Sequence, residues 1–244
     1  MSRVAVIENN NHSLEVFSFI RVICGLIYSM EILYQDEHII VLNKPADLPV
    51  LPEGWQPDAP YLRQMLEEKY GQIWVVHRLD KVTSGVMVFP RTAEAHRVLN
   101  RQFEKHEVEK VYQAIAEGLP LWDERTARHM LKTNVGRRHR TVVVNKRGKN
   151  SETHFKVLNR GSAGALVEAH PKTGRTHQIR VHLSALGFPI LGDTLYGASE
   201  TDLIGRPALH SYSIAFSHPN SGEHINFHAN PPNDFLQTLK RLGL

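Results

Sequence analysis

Several signatures of common enzyme classes are missing from this chain of 244 residues. A single cysteine, Cys24, excludes a disulfide framework and a cysteine-based zinc site, and it predicts a reducing, cytoplasmic setting. Neither G-x-x-x-x-G-K nor G-x-G-x-x-G occurs, which argues against a loop that cradles nucleotide phosphates. G-x-S-x-G and the kinase Asp-Phe-Gly are also missing. We expect no metal, since His177 and His182 lack the i, i+4 spacing of shared ligands.

No apolar run is long enough to predict a membrane span. Residues 14 to 28 are apolar but contain Arg21 and fall short of the roughly 20 residues that a span needs. The flank ahead of them is not the basic segment of a signal peptide. We therefore interpret residues 1 to 29 as an N-terminal extension that packs on the domain or is disordered. The alternative is a wrongly chosen start codon ahead of Met30.

The composition fits one globular domain with a mild basic bias. Hydrophobic residues make up 41% of the chain, and 29 basic against 25 acidic residues give a formal charge of +4. Such a bias is compatible with nucleic-acid binding but does not establish it, because the placement of charge matters more than its total.

Hydrophobic spacing in the first half of the chain predicts short strands and two helices. Residues 31 to 45 are typical of a hairpin that Pro45 ends. A helix over residues 59 to 70 would be capped by Asp58, and a second helix would be capped by Thr92. Between them, residues 75 to 89 are predicted to form strand, loop and strand.

The second half adds strands that pair through short turns. Residues 110 to 118 and 165 to 171 are predicted strands, and Thr176 is predicted to cap a helix within residues 173 to 187. Apolar residues alternate over residues 212 to 227, as in a hairpin, and a short C-terminal helix follows that carries Phe235, Leu236, Leu239 and Leu242. This order favours an α+β fold with a mixed, mainly antiparallel sheet and flanking helices.

The stretch VVHRLDKVTSGVMVF, residues 75 to 89, places His77, Arg78 and Asp80 in the loop between two apolar runs. Loops held by strands often carry catalytic groups. A carboxylate there serves as a nucleophile, as a base or as one half of a structural ion pair, and the residues alone leave these alternatives open. Gly85 is expected to provide tight backbone geometry.

Five segments together resemble the RluA family of RNA pseudouridine synthases over roughly residues 31 to 236. They are ILYQDEHIIVLNKP, HRLDKVTSGV, QFEKHEVEKVYQAIAEG, PKTGRTHQIRVHLSALGFPILGDTLYG and LHSYSIAFSHPNSGEHINFHANPP. The resemblance implies a pseudouridine synthase catalytic domain over residues 30 to 244, with a central RNA-binding cleft. Unlike some members, this sequence is expected to have no S4 RNA-binding domain ahead of it.

The resemblance also implies a reaction and three catalytic residues. Members convert uridine in structured rRNA or tRNA to pseudouridine without a cofactor. Asp80 falls on the family's nucleophile, which attacks C1′ of the ribose or C6 of the base; the sequence does not choose between them. Tyr112 would stack on the uracil and take part in removing the C5 proton, and Arg180 would pair with the carboxylate of Asp80. A bidentate arginine pair is the usual way to hold a carboxylate in a pocket.

Further residues are assigned to RNA and to the base pocket. Arg78 falls on the arginine that fills the gap left by a flipped uridine, and Leu79 and Ile179 are equally plausible as pocket walls or as core. Contacts to RNA are predicted for His77, Arg78, Arg137, Arg138, Arg140, Lys149, Arg175 and His177. Phosphate contacts of this kind give affinity rather than sequence choice.

Two other functions compete with this interpretation. A catalytically inactive RNA-binding or assembly factor on the same scaffold would need the basic residues but no carboxylate. A hydrolase would use Asp80 and His77 to activate water, but no third orienting group stands at a recognised spacing. We expect a monomer that needs no protein partner and no membrane.

Overall fold

A computed structural model describes residues 30–53, 59–138 and 140–244. The predicted extension over residues 1 to 29 lies outside these residues and stays a prediction. Asp58 also lies outside them, but the helix that it was predicted to cap begins later, with Tyr61 at the cap position. No helix in the described ranges is long and apolar enough to cross a membrane.

The described elements are ten strands, four α-helices and one short 3-10 helix at Thr194–Tyr196. The strands are β1 (Ile32–Gln35), β2 (Ile39–Lys44), β3 (Ser84–Pro90), β4 (Glu109–Glu117), β5 (Glu124–Val135), β6 (Arg140–Val144), β7 (Lys149–Arg160), β8 (Gly164–Pro171), β9 (Leu209–Ser217) and β10 (His224–His228). The helices are α1 (Leu62–Tyr70), α2 (Ala93–Glu104), α3 (Gln178–Ala185) and α4 (Asn233–Leu242).

All ten strands belong to one sheet, in the order β1-β2-β3-β9-β4-β8-β7-β5-β6, with β10 added to β9. Every pairing is antiparallel except that of β3 with β9, which joins Ser84 to His210 and Gly85 to Ser211. β9 pairs with β3 up to Ser211 and with β10 from Ser213 onward. The predicted α+β class with a mixed, mainly antiparallel sheet is confirmed.

Gly85 makes the parallel pairing possible. Its φ is +121°, and a Cβ on it would lie 2.2 Å from the carbonyl oxygen of Ser211. A residue with a side chain would have to push β9 away from β3 at the point where the loop carrying Asp80 enters the sheet. The predicted tight geometry at Gly85 is therefore confirmed.

β2 and β3 are buried on both faces, which explains their unbroken apolar runs. On one face Leu62 and Leu66 of α1 pack in a cluster with Leu42 of β2. On the opposite face Leu99 of α2 packs in a cluster with Val41 of β2. Met87 of β3 belongs to the first cluster and Val88 of β3 to the second. The two helices therefore cover opposite faces of the strand that follows the Asp80 loop.

Two of the helix starts differ from the sequence prediction. Thr92 caps α2, as predicted, by accepting a hydrogen bond from the backbone N–H of Ala95 at 3.1 Å. The predicted cap of α3 at Thr176 is wrong: His177 occupies that position with a left-handed φ of 55°. α1 begins at Leu62 after Tyr61, which makes no side-chain cap, rather than at residue 59.

The strand predicted just ahead of the Asp80 loop does not form. The approach to the Asp80 loop is irregular rather than a strand at Val75 and Val76. There the ring of His77, and not a backbone ladder, accepts the N–H of Val88 in β3 at 3.1 Å. The predicted C-terminal helix is present as α4, on which Phe235 and Leu242 are buried and Leu236 is 48% exposed.

Candidate active site

A cavity of about 1220 Å³ opens between the Asp80 loop and the segment that leads into α3. Residues 75–83 line one side and residues 173–180 line the other, with Tyr112 of β4 and Phe103 of α2 also exposed to it. The fold therefore brings together segments that lie about a hundred residues apart in the sequence. The predicted cleft corresponds to this cavity.

Asp80 lies in this cavity with a side chain that is 26% exposed. Its backbone carbonyl accepts the N–H of Thr83 at 3.0 Å, which closes a turn. Behind the turn, the buried side chain of Lys44 donates to the carbonyl oxygens of Pro45, Leu48 and Lys81 at 2.7, 2.9 and 3.1 Å. Three acceptors fit the three N–H bonds of an ammonium, so Lys44 anchors the Asp80 loop to β2.

Arg180 contacts Asp80, but its main partner is Asp193. Its Nε and Nη2 donate to the two carboxylate oxygens of the buried Asp193, each at 2.7 Å. The remaining nitrogen, Nη1, lies 3.5 Å from Oδ2 of Asp80. The predicted pairing with Asp80 exists, but the predicted bidentate form is wrong, because Asp193 occupies the bidentate edge of the guanidinium.

His177 is the second nitrogen group beside Asp80, with Nε2 at 3.6 Å from Oδ2. Its Nδ1 lies 2.9 Å from the hydroxyl of Tyr196, and that hydroxyl accepts the backbone N–H of Thr141 at 2.8 Å. Burial is the largest influence on the ring and lowers the pKa of His177; the positive charge of Arg180 acts in the same direction, while Asp80 opposes it. The imidazole is therefore neutral near pH 7.

Tyr112 projects from β4 and packs against two of the core clusters. Burial raises the pKa of its hydroxyl to about 12, and the negative charge of Asp80 adds to this. The side chain is thus a neutral phenol with an aromatic face available to the cavity. That state suits stacking on a base and supplies no phenolate.

His77 and Arg78 are adjacent in sequence but occupy different environments. The ring of His77 stacks on Phe103 with 4.9 Å between ring centroids, and burial lowers the pKa of His77 to about 3. Arg78 is exposed at the cavity and makes no hydrogen bond or ion pair with any other described residue. The structure thus gives His77 a role in shaping the loop and leaves Arg78 available to a ligand.

Leu79 and Ile179 line the cavity and are also part of the core. They are 7% and 6% exposed, and each belongs to a different apolar cluster. Both sequence interpretations, pocket wall and core, therefore apply at once.

A family model described as RNA pseudouridylate synthase matches residues 38–185, which include Asp80, Tyr112 and Arg180. The chain belongs to this family. Membership makes the protein an RNA pseudouridine synthase, an isomerase that acts on RNA.

Individual relatives agree with this assignment. Ribosomal large subunit pseudouridine synthase D of Zymomonas mobilis is 34% identical over 230 residues, covering 87% of this chain and 73% of that protein. The Neisseria meningitidis protein of the same name is 36% identical over 236 residues, covering 88% of this chain and 62% of that protein. The chain thus spans roughly two thirds of the length of these relatives. The structure of human RNA pseudouridylate synthase domain containing 4 superposes with a TM-score of 0.74 at 26% identity, covering 93% of this chain and 98% of that one.

The other basic residues predicted to contact RNA fall into two groups in this pseudouridine synthase. Arg175 and His177 line the cavity. Outside it lies a surface that we call the basic hairpin, formed by the exposed side chains of Arg137, Arg138, Arg140 and Lys149 around β6. Thr141 holds β6 beside the site, because its hydroxyl donates to the carbonyl of Thr176 at 2.8 Å. The basic hairpin is therefore next to the active site without forming part of its wall.

Sequence reasoning missed four residues that organise this site: Lys44, Thr141, Asp193 and Tyr196. Asp193 and Tyr196 stand inside the stretch that carries Arg180, in GDTLYG, and this was the available signal. Lys44 likewise stands inside ILYQDEHIIVLNKP. Thr141 gives no such signal, since its hydroxyl donates to the backbone carbonyl of Thr176, which only the folded chain brings near.

Proposed function

We propose that this enzyme converts uridine to pseudouridine in the RNA of the large ribosomal subunit, with Asp80 as its nucleophile. The substrate class is supported by the names of the Zymomonas and Neisseria relatives, which specify the large ribosomal subunit. The observation that carries the catalytic assignment is the Asp80 carboxylate, which faces the cavity between Arg180 and His177.

The reaction exchanges one bond for another. The carboxylate of Asp80 attacks C1′ of the ribose or C6 of the uracil, the N1–C1′ bond breaks, and the base rotates while it remains held. A C5–C1′ bond then forms, C5 loses its proton, N1 gains one, and the carboxylate is released. No oxidation or reduction occurs, so the cycle needs no redox partner.

The other cavity residues take the roles that their positions allow. Tyr112 stacks on the uracil, a contact worth about 1–3 kcal/mol for bases on aromatic side chains. Arg78 enters the space that the flipped nucleotide vacates, which offsets part of the few kcal/mol that unstacking costs. The basic hairpin and Arg175 bind phosphates and position the RNA.

Release of tritium from uracil C5 tests the proposal directly, because C5 must lose its hydrogen when it becomes the glycosidic carbon. Unmodified transcripts of large-subunit rRNA, small-subunit rRNA and tRNA, each tritiated at C5, would be incubated with wild-type enzyme and with Asp80→Asn. Asp123→Asn is the matched control, since Asp123 is an exposed residue paired with Arg160. We expect release from the large-subunit transcript by wild type and by Asp123→Asn, and none by Asp80→Asn.

The other outcomes separate the alternatives. Release from tRNA alone would overturn the substrate and keep the reaction. Free uracil in place of rearranged nucleoside would favour the hydrolase. Tight binding of all three RNAs without release would favour the inactive RNA-binding factor. A cytoplasmic setting and a monomeric state stay predictions, and size-exclusion chromatography with light scattering tests the second.

A further inference from the structure

The carboxylate of Asp80 has two nitrogen neighbours on the same oxygen, Oδ2. Nη1 of Arg180 lies at 3.5 Å and Nε2 of His177 at 3.6 Å. Both distances exceed those of ordinary hydrogen bonds, and contacts of this kind often shorten when the substrate binds. Arginine always presents hydrogens, whereas a neutral imidazole presents one only if its proton is on the nitrogen that faces the carboxylate. The contribution of His177 therefore depends on its tautomer.

Tyr196 contacts the other ring nitrogen of His177, Nδ1. Its hydroxyl oxygen already accepts the backbone N–H of Thr141 at 2.8 Å. The single hydrogen of that hydroxyl has Nδ1 of His177 within reach at 2.9 Å, and the hydroxyl of Thr141, which itself donates to the carbonyl of Thr176, is a second hydrogen-bonding neighbour. Because the carboxylate that faces Nε2 can only accept, donation from Tyr196 to Nδ1 satisfies both ring nitrogens of His177. Burial raises the pKa of Tyr196, so the hydroxyl keeps its hydrogen. With Nδ1 accepting, the ring hydrogen must be on Nε2, which faces Asp80.

The same tyrosine also touches the second neighbour of Asp80. The guanidinium carbon of Arg180 lies 5.0 Å from the centre of the Tyr196 ring, within the range of a cation–π contact. The rings of Tyr196 and His177 meet edge to face at 5.6 Å, with 87° between their planes. Tyr196 itself is 8% exposed. One buried residue thus orients both groups that face the carboxylate.

We propose that His177 is a positioning residue: the hydroxyl of Tyr196 holds its imidazole in the tautomer that carries hydrogen on Nε2, and this N–H holds the Asp80 carboxylate in the orientation needed for attack. The inference rests on the proposed role of Asp80 as the nucleophile. It also assigns a second task to a residue that sequence reasoning placed only in RNA binding.

The left-handed backbone of His177 supports this role. A φ of 55° is uncommon for a residue other than glycine, and such strain persists where the surroundings hold it. This conformation precedes α3, and the ring is directed between Tyr196 and Asp80 rather than toward the backbone N–H groups of the helix. As a result, α3 begins without a side-chain cap, and Nε2 of His177 faces the carboxylate of Asp80.

A near-isosteric pair of variants separates the donor from the bulk of the side chain. His177→Gln keeps an N–H within reach of Asp80, whereas His177→Met has a similar length and no donor. Neither glutamine nor methionine is branched at Cβ, so the left-handed backbone at position 177 should destabilise both variants by a similar amount. We expect His177→Met to lower the kcat of tritium release by roughly 10- to 100-fold, the range for a hydrogen bond to a charged group, with little change in KM for RNA. His177→Gln should recover most of the loss. Equal losses in kcat, or a change confined to KM, would overturn the proposal.

Tyr196→Phe keeps the ring beside Arg180 and removes only the hydroxyl. We expect it to lower kcat by roughly 10-fold in the wild-type background, and by less than 2-fold in the His177→Met background, because the hydroxyl acts through the imidazole. A purely structural role would lower activity by the same factor in both backgrounds and would overturn the inference. Tyr196→Phe also leaves the backbone N–H of Thr141 without its acceptor. Thermal unfolding of this variant and of wild type measures that loss of stability separately from the loss of activity.

The tautomer itself is measurable without any assay of activity. Long-range ¹H–¹⁵N correlation spectra of histidine-labelled enzyme distinguish Nε2–H from Nδ1–H imidazoles, and His177→Gln assigns the signal by its loss. We expect the Nε2–H pattern in wild type and a mixed or inverted pattern in Tyr196→Phe. An Nδ1–H pattern in wild type would overturn the inference and leave the proposed function intact. Conversely, an Nε2–H pattern in a protein that never releases tritium would refute the function alone.

Discussion

Arg180 gives its bidentate edge to Asp193 and turns only Nη1 toward Asp80. The two bonds to Asp193 are 2.7 Å each, while the Asp80 contact is 3.5 Å. Asp193 is 1% exposed, so the pair is buried, and the guanidinium is fixed before any substrate arrives. The cation that faces the nucleophile is thus held by a second carboxylate that never touches the reacting atoms.

Asp193→Asn should therefore impair both stability and catalysis. Removing one partner of a buried ion pair leaves an uncompensated charge and costs about 3–5 kcal/mol. The freed guanidinium would shift toward Asp80 and bind it as a closed ion pair, which lowers the rate of attack. We expect urea unfolding to show the loss of stability, and tritium release to show a slower reaction in the folded variant.

Asp202→Asn is the matched control, since Asp202 forms an exposed pair with Arg241. Fully exposed pairs contribute little to stability because water and salt screen them, so this variant should keep both stability and rate. A similar small effect at Asp193 would show that Arg180 does not need its buried partner.

Gly85→Ala should disrupt the joint between β3 and β9. The added Cβ would lie 2.2 Å from the backbone oxygen of Ser211, and φ is +121°. Because the obstructing atom is backbone, relief requires the strands to separate, and we expect a loss of about 3 kcal/mol or more in urea unfolding.

Gly243→Ala separates the clash from the backbone effect. Gly243 also has a positive φ, +70°, but no atom lies within 4 Å of its added Cβ. A left-handed residue with a side chain costs about 1–2 kcal/mol, so a clearly smaller loss is expected. Equal losses at the two glycines would contradict the close approach of the strands.

His77 should make stability depend on pH. Burial lowers its pKa to about 3 in the folded enzyme, below the ordinary value of 6.5. Above pH 6.5 both folded and unfolded chains carry a neutral ring, and the stabilising effect is complete. As the pH falls from 6.5 toward 3, the unfolded chain binds the proton first, so stability is lost, by about 2 kcal/mol at pH 5.

The variant His77→Gln retains an acceptor for the N–H of Val88 but does not titrate. The difference in unfolding free energy between wild type and this variant should therefore shrink as the pH is lowered from 7 to 5. His182 and His210, whose pKa values burial lowers to about 4, titrate equally in both proteins and cancel in the difference. A constant difference would mean that the ring of His77 is not desolvated.

Sequence patterns predicted the parts of this fold that depend on burial over many residues. The unbroken apolar runs of β2 and β3 predicted buried strands correctly, because helices cover both faces of these strands. The role of Asp80 came from a family motif and not from any local pattern. The bidentate partner of Arg180 was mistaken because a guanidinium can donate to any carboxylate within reach, and the fold decides which carboxylate lies at its bidentate edge.

The start of α3 shows the same limit at a smaller scale. Threonine is a favoured helix cap, so Thr176 was the natural prediction. The carbonyl of Thr176 instead accepts the hydroxyl of Thr141 in β6, and His177 takes the cap position with its ring between Tyr196 and Asp80. The preference of threonine for the cap position was therefore overridden by tertiary contacts from Thr141 and Tyr196.

The basic hairpin should bind RNA through phosphates. Arg137, Arg138 and Arg140 are exposed and lie beside the cavity but not in its wall. Replacing all three with glutamine should weaken binding of every RNA and reduce the slope of log affinity against log salt, by about 0.7–0.9 for each phosphate that the variant no longer binds. Tritium release at saturating RNA should change little, because no reacting group is altered. Filter binding across a series of salt concentrations measures the slope.

A triple variant of equal charge distinguishes a local contact from a general field. Arg63, Arg97 and Arg241 are exposed arginines that pair with carboxylates elsewhere on the surface. Their replacement by glutamine changes the net charge by the same amount, so any decrease in affinity from long-range attraction alone would be shared. We expect this control to keep the wild-type salt slope. If both triple variants lower the slope equally, the basic hairpin attracts RNA only as part of the overall charge and forms no phosphate contacts of its own.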